Sequence, residues 1–168
     1  RQRQMCIRDR GWASRSLFER AYARSDENLL MEKHYFDWPV RVYYEDTDCA
    51  RVVYYANYFR FMERARTEWL RALGWSQERL YSELGVVFVV AEAKAKYKKP
   101  ARLDDELVVR STVTACGRTS FEFHQEILRG DEVLNVGDVR CGTLDAHTFR
   151  PVAMPEPISE QLKKLLTH

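Results

Sequence analysis

Apolar and polar residues recur along this chain with a period that changes from segment to segment, and each period predicts an element. Over residues 38–44 the run Trp38-Pro39-Val40-Arg41-Val42-Tyr43-Tyr44 alternates as a half-buried strand does. An acidic, tyrosine-rich loop follows. Apolar side chains then fall at Tyr58, Phe61, Met62, Ala65, Trp69, Ala72 and Leu73, while Arg60, Glu63, Arg64, Arg66, Thr67, Glu68 and Arg71 take the opposite face. That spacing predicts an amphipathic helix with one buried stripe. Asn57 is placed as its N-cap, with ordering of the preceding loop as its alternative role, and Gly74 as its C′ residue. A short second helix over 76–84 is expected to stop at Gly85.

From there the period becomes two. Val86 to Val90 is an unbroken apolar run, after which Ala91, Ala93, Ala95 and Tyr97 point one way and Glu92, Lys94, Lys96 and Lys98 the other. This reads as one long strand with a buried start. A turn over 100–105 leads to a strand with Leu107, Val109, Val113 and Ala115 facing inward. Gly117 and Arg118 turn the chain again, and Phe121, Phe123 and Ile127 alternate with Glu122, His124 and Glu126. Gly130 and Asp131 turn it into a last strand over 132–145, with Gly137 expected as a bulge. An amphipathic helix over 158–166 closes the pattern.

One long striped helix and an antiparallel sheet must bury their faces against each other, so the class is α+β, a curled sheet around one central helix. No repeat or linker interrupts 31–168, which is read as a single domain starting at Met31. Residues 1–30 are read as a disordered or non-native extension. They carry only a weak amphipathic pattern over 14–30, and Asp9, Glu19, Asp26 and Glu27 argue against a targeting peptide.

Composition narrows the function. The net charge of +2 misleads, because residues 1–30 hold seven of the 27 Lys and Arg but four of the 25 Asp and Glu. The remaining 20 basic and 21 acidic residues leave the body near neutrality, which disfavours a nucleic-acid partner. No apolar run approaches the roughly 18 residues of a membrane span. Cys6, Cys49, Cys116 and Cys141 form no CxxC pair, and His34, His124, His147 and His168 show no metal-ligand spacing. The expectation is a cytoplasmic protein with reduced thiols and neither metal nor cofactor.

The candidate chemistry lies in the loop before the long helix. It holds Glu45, Asp46, Asp48, Tyr54, Tyr55 and Asn57. A carboxylate beside the exposed N–H groups of a helix start can act as base or nucleophile next to an oxyanion site. Asp48 is the candidate carboxylate; its structural alternative is to cap a turn. Glu45 and Asp46 are read as acceptors of backbone hydrogen bonds within the loop. Cys49 has no histidine at a defined place to activate it. Tyr54, Tyr58 and Phe61 could line a pocket, with core packing as their default.

The run WPVRVYYEDTDCARVVYYANYFRFMERARTEWLRAL, with Phe88-Val89-Val90 and YKKPARLDD further on, resembles the 4-hydroxybenzoyl-CoA thioesterase family of the hotdog superfamily. Its nearest likeness is to the Tol–Pal-associated acyl-CoA thioesterases, over about residues 36–155. The resemblance implies hotdog dimers, often paired into homotetramers, with sites at the dimer interface and acyl-CoA esters of short-chain or aromatic acids as substrates. It implies Asp48 as catalytic carboxylate and the backbone N–H at Tyr55 as the donor that polarises the thioester carbonyl. Val53, Tyr54, Asn57 and Tyr58 are the expected substrate contacts. Arg102 and Arg118 are set toward the phosphates of coenzyme A, and Ser120 toward its phosphopantetheine arm.

Three positions qualify the likeness. The family carries small residues where Ala50 and Arg51 stand, and a tight turn with positive φ suits Arg poorly. Cys49 stands where Ala or Pro is usual. Glu63 occupies the helix site used for catalysis in another hotdog lineage, but its neighbours Arg66 and Thr67 favour an ion-pair role. A hotdog dehydratase would need a loop histidine and a helix acid, which are not matched here. The competing reading is a non-catalytic acyl-CoA-binding scaffold, associated peripherally with the membrane through Tol–Pal partners.

Overall fold

The apolar stripe after position 57 dictates the centre of the molecule. A computed structural model describes residues 34–166; the extension read at 1–30, its weak helix, Met31, Cys6 and His168 lie outside the described residues. The stripe forms helix α1, Asn57–Ala72, and buries Tyr58, Phe61, Met62, Ala65 and Trp69. Leu70 and Leu73 join them, and Ala72 is only half-buried. Phe61 and Met62 are fully buried, and each such side chain contributes roughly 1.5–3 kcal/mol. The helix ends in a Schellman motif: Gly74 at φ +85° donates to the Arg71 carbonyl, and Trp75 N–H reaches the Leu70 carbonyl at 3.1 Å.

The start of α1 differs from expectation. Ala56 takes the cap position without a side-chain bond, and Asn57 is the first helical residue. The Asn57 amide is used elsewhere, donating to the Asp46 carbonyl at 2.9 Å. It is the second bond on that carbonyl, which also accepts the Tyr54 N–H, and it ties the first limb of the loop to the helix start. Helix α2, Gln77–Leu84, follows the expected pattern, with the Ser76 hydroxyl accepting from Arg79 N–H and Gly85 left-handed at φ +63°.

Five strands form one antiparallel sheet: β1 (Phe36–Arg41), β2 (Val86–Tyr97), β3 (Glu106–Cys116), β4 (Ser120–Arg129) and β5 (Glu132–Asp145), in the order β1-β3-β4-β5-β2. One face covers α1. Helix α3, Glu156–Leu166, adds Ile158, Leu162 and Leu165 to the core around Trp69, Leu73 and Phe123. A second core cluster joins Tyr58, Phe61 and Met62 to Val40, Val53, Leu107, Val109 and Leu134. This is the hotdog arrangement, and none of the described helices is long and apolar enough to cross a membrane.

Several sequence expectations are corrected here. Strand β1 stops at Arg41 rather than 44, because buried Asp46 accepts the Tyr43 N–H and winds Tyr44–Asp46 into a 3-10 turn. Gly137 is no bulge. It pairs regularly with Ala95 and Gln125, and the extra residue of β5 is Leu134, between the partners of Ile127 and Leu128. A further bulge at Ala91 resets the alternation of β2, so Val90 and Ala93 stand opposite Cys141 and Val139 on the helix side of the sheet. The apolar start of β2 is also less covered than expected: Val86 is buried, but Val90 is 52% exposed.

Candidate active site

Backbone pairing shapes the loop before α1. Thr47 and Val53 form an antiparallel bridge, and Asp48 N–H donates to the Val52 carbonyl at 3.0 Å. Arg51 N–H returns to the Asp48 carbonyl at 2.9 Å, closing a four-residue turn at the tip. The turn forces Arg51 into the left-handed region, φ +61°, the conformation for which glycine is suited. Val53 N–H donates to Ala101 O, and Tyr54 N–H to Asp46 O, which tie the returning limb to the turn before β3 and to the first limb.

Asp48 stands exposed at the tip. Its Oδ1 accepts the Ala50 N–H at 2.8 Å, so it does cap its own turn; Oδ2 takes no hydrogen bond among the described residues. Asp46, by contrast, is 1% exposed and holds the loop through Tyr43, Tyr54 and Asn57, as expected. Glu45 does not share that role: it is exposed and accepts no hydrogen bond among the described residues, because the turn carries its side chain outward.

Tyr55 lies just before the helix and is 61% exposed. Among the described residues its N–H has no acceptor, as the orphan donors at a helix start often do not. Its carbonyl accepts the Tyr97 hydroxyl at 2.9 Å. Tyr54 stacks obliquely on Tyr55, with ring centroids 4.7 Å apart. The Tyr55 phenol, and more weakly the Asp48 carboxylate, push the Tyr54 pKa above its ordinary value. Hence the Asp48 charge is felt at Tyr54, six residues along the chain.

Val53, Tyr55 and Tyr58 line a cleft of 260 Å³ with Tyr97, Lys98, Lys99 and Pro100. Tyr58 is a core residue as well. It is buried, its oxygen accepts the Ala101 N–H at 3.0 Å, and burial raises its pKa. Phe61 is fully buried and belongs to the core alone. Arg102 is exposed on the neighbouring turn, where its N–H donates to Asp105.

Arg118 and Ser120 are not brought to this cleft within the chain. Ser120 pairs with Gly142, which pairs with Val89, whereas the cleft lies at Tyr97. Eight residues of β2 separate those rungs, roughly 26 Å of strand. Glu63 forms no ion pair among the described residues. It accepts the Thr67 hydroxyl at 2.8 Å, because the Arg66 guanidinium turns inward to Gln125 Oε1 at 2.7 Å. Gln125 is wholly buried, and its amide donates to Met62 O and Ser111 Oγ. The alternation that placed Phe123 and Ile127 inward contained this residue's position too.

A second groove of 320 Å³ runs between α1 and β2, lined by Phe59, Arg60, Glu63, Arg66, Val90, Ala93 and Val139. Among the described residues no three His, Cys, Asp or Glu side chains converge as a metal site. The thiols of Cys116 and Cys141 are pushed up chiefly by burial, and Cys49 is exposed at the loop tip.

A single helix cradled by a five-stranded antiparallel sheet, with an acidic loop at the helix start, defines a hotdog protein of the thioesterase type. The chain belongs to the thioesterase-like superfamily, whose sequence profile matches residues 42–162. It is 44% identical over 130 residues to the acyl-CoA thioester hydrolase YbgC of Escherichia coli O6:H1, covering 77% of this chain and 96% of that one. It is 41% identical to the acyl-CoA thioesterase YbgC of Haemophilus influenzae, covering 73% and 90%. Among solved structures, a probable thioesterase from Bartonella henselae superposes with a TM-score of 0.69 at 31% identity, covering 72% of this chain and 99% of that one.

Proposed function

We propose that this protein hydrolyses acyl-CoA thioesters to a free acid and coenzyme A. The observation that carries the reading is the presence, on one loop, of the exposed Asp48 carboxylate and of the Tyr55 N–H before the helix start, which has no acceptor among the described residues. As a base, Asp48 takes a proton from water while the water oxygen bonds to the thioester carbon. The carbonyl oxygen gains charge, which the Tyr55 N–H stabilises. The tetrahedral adduct then expels the thiolate, which recovers the proton from Asp48. As a nucleophile, the same carboxylate attacks the thioester carbon, the C–S bond breaks and coenzyme A leaves as thiolate to be protonated by solvent; water then cleaves the resulting anhydride, returning the Asp48 carboxylate and the free acid. Relatives named as acyl-CoA thioester hydrolases support this choice of substrate.

The working unit in this proposal is a homodimer, itself paired into a homotetramer. Among the described residues strand β2 ends the sheet with a twelve-residue unpaired edge, the form of edge that templates pairing. Two such edges meeting antiparallel about a twofold axis set the Tyr97 end of one strand beside the Val89 end of the other. That supports delivery of Arg118 and Ser120 of the partner subunit to the coenzyme arm. The apolar groove at Phe59, Val90, Ala93 and Val139 then takes a short-chain or aromatic acyl group. The setting proposed is cytoplasmic, near Tol–Pal partners, on the strength of the motif alone.

The test is release of free thiol from butyryl-, lauroyl- and benzoyl-CoA, using the intact protein and Asp48→Asn side by side, with the mass in solution measured by sedimentation. Turnover in the first and its collapse in a folded second support the reading. Binding of the esters without turnover in both would replace it with the scaffold reading.

A further inference from the structure

The oxyanion donor proposed above, the Tyr55 N–H, shares its peptide with the Tyr54 carbonyl, which accepts the Asn57 N–H at 2.9 Å, and the next peptide is held from farther away. Tyr55 precedes the helix, its side chain is largely in solvent, and Ala56 brings no capping side chain. Among the described residues the Tyr55 backbone makes a single hydrogen bond, and it comes from across the fold. Tyr97, the last residue of β2, donates its hydroxyl to the Tyr55 carbonyl at 2.9 Å. The bond spans 42 residues of sequence.

The rest of Tyr97 is arranged to make that bond. Its ring meets Tyr58 edge-on, with centroids 5.4 Å apart at 83°, and Tyr55 at 6.5 Å and 81°. Tyr58 is fixed in turn, buried at the base of the cleft with its oxygen on the Ala101 N–H. Tyr97 itself is held at its root by pairing with Asn135. Its hydroxyl is therefore carried on a regular strand and a packed ring, the rigid support that a precise site requires. Burial, followed by the charges of Tyr55 and Tyr58 when ionised, raises its pKa and keeps it a donor.

We propose that Tyr97 is a positioning residue for thioester hydrolysis: its hydroxyl fixes the Tyr55–Ala56 peptide, and that fixed plane, together with the Tyr54–Tyr55 peptide held by the Asn57 N–H, sets the direction in which the Tyr55 N–H meets the substrate carbonyl. Tyr97 touches no reacting atom in this account. A carbonyl that accepts a hydrogen bond also polarises the N–H of its own amide, here that of Ala56, which likewise has no acceptor among the described residues. The proposal rests on the hydrolase reading, and it adds a residue on the edge strand to a site otherwise built from the loop. It implies that a disturbance of β2 reaches the chemistry through one phenol.

Tyr97→Phe keeps the ring contacts and removes only the donor. On butyryl-, lauroyl- and benzoyl-CoA its kcat is expected to fall about tenfold to a hundredfold, the scale of a misplaced oxyanion donor. The matching thioethers, S-butyl-, S-dodecyl- and S-benzyl-CoA, lack the carbonyl and cannot sense that donor. Their Kd values are expected to stay within about twofold of wild type, since the loss is confined to the transition state. Placing 4-aminophenylalanine at position 97 restores a donor on the same ring and is expected to recover most of kcat. An unchanged kcat in Tyr97→Phe, a parallel loss of thioether affinity, or no recovery with the amino analogue would each overturn the proposal. No turnover in the wild-type protein would instead remove the hydrolase reading on which it rests.

Discussion

Met62 occupies the space a side chain at position 137 would need: a Cβ on Gly137 would stand 2.5 Å from Met62 Cε and 2.6 Å from its sulfur. Met62 is fully buried at the middle of α1, and Gly137 lies on β5 between Ala95 and Gln125. The glycine lets the helix approach the sheet, which is the common meaning of a glycine inside a strand.

Gly137→Ala is therefore expected to destabilise the fold. The Met62 end is flexible, but as a fully buried side chain it moves only by repacking its neighbours, and the Lys94 carbonyl at 3.2 Å is backbone. Overpacking of this kind costs about 1–3 kcal/mol. Urea unfolding should show it as a lower midpoint at an unchanged slope. In a Met62→Ala background the same change should cost clearly less, because the two residues share one space. Equal costs in both backgrounds would mean the approach is not limited by this contact.

Arg51 gives a prediction of opposite sign. Its left-handed φ of +61° is imposed by the turn that Asp48 closes. A non-glycine residue there carries about 1–2 kcal/mol of strain. Arg51→Gly is expected to raise stability by about 0.5–1 kcal/mol after the entropy of the freer unfolded chain is subtracted. Chemical denaturation decides it, and a fall in stability would show that the Arg51 side chain supplies a compensating contact.

What the sequence made legible follows from period. The α1 stripe, the short α2 stopped by Gly85, and the four long strands are all local patterns, and the mismatch of Arg51 with its turn is visible from the residue type alone. Bulges are not legible in this way. One extra residue at Ala91 or Leu134 exchanges the faces of everything beyond it, and nothing in the composition of β2 or β5 marks it. Of the two roles open to Asn57, the loop-ordering one prevails over the cap, and the sequence does not rank them because the partner, Asp46 O, lies eleven residues away. Val53, Tyr55 and Tyr58 lie within one motif and line one cleft, and Asp48 stands on the same loop at its exposed tip. Ser120 was separated from them by strand order, a property of the whole sheet.

Asp145 supplies a pH-dependent term. Its carboxylate accepts from the Thr148 N–H, the Thr148 hydroxyl and the His147 N–H, and these hold its pKa below the ordinary value. A depressed folded pKa contributes stability above the unfolded value, near 3.9 for Asp, and loses it as pH falls through the folded value. Asp145→Asn keeps an acceptor but not the charge. The wild type should be the more stable of the two at neutral pH, with the gap closing below about pH 4. A gap independent of pH would assign the effect to shape rather than charge.

Asp48 has two jobs in this structure, and two substitutions separate them. Its Oδ1 caps the turn through Ala50 N–H at 2.8 Å, while the carboxylate charge is the proposed base or nucleophile. Asp48→Asn retains an oxygen for the cap and removes the charge, so the loop should survive while kcat falls about a hundredfold or more. Asp48→Ala removes both, adding a loss of about 0.5–1 kcal/mol of stability to the same loss of rate. If the cap were the whole role, Asn would keep nearly all of the activity and Ala would lose it in step with stability. Thiol release and urea midpoints measured on both variants distinguish these patterns, because only a chemical role separates rate from stability in the Asn protein.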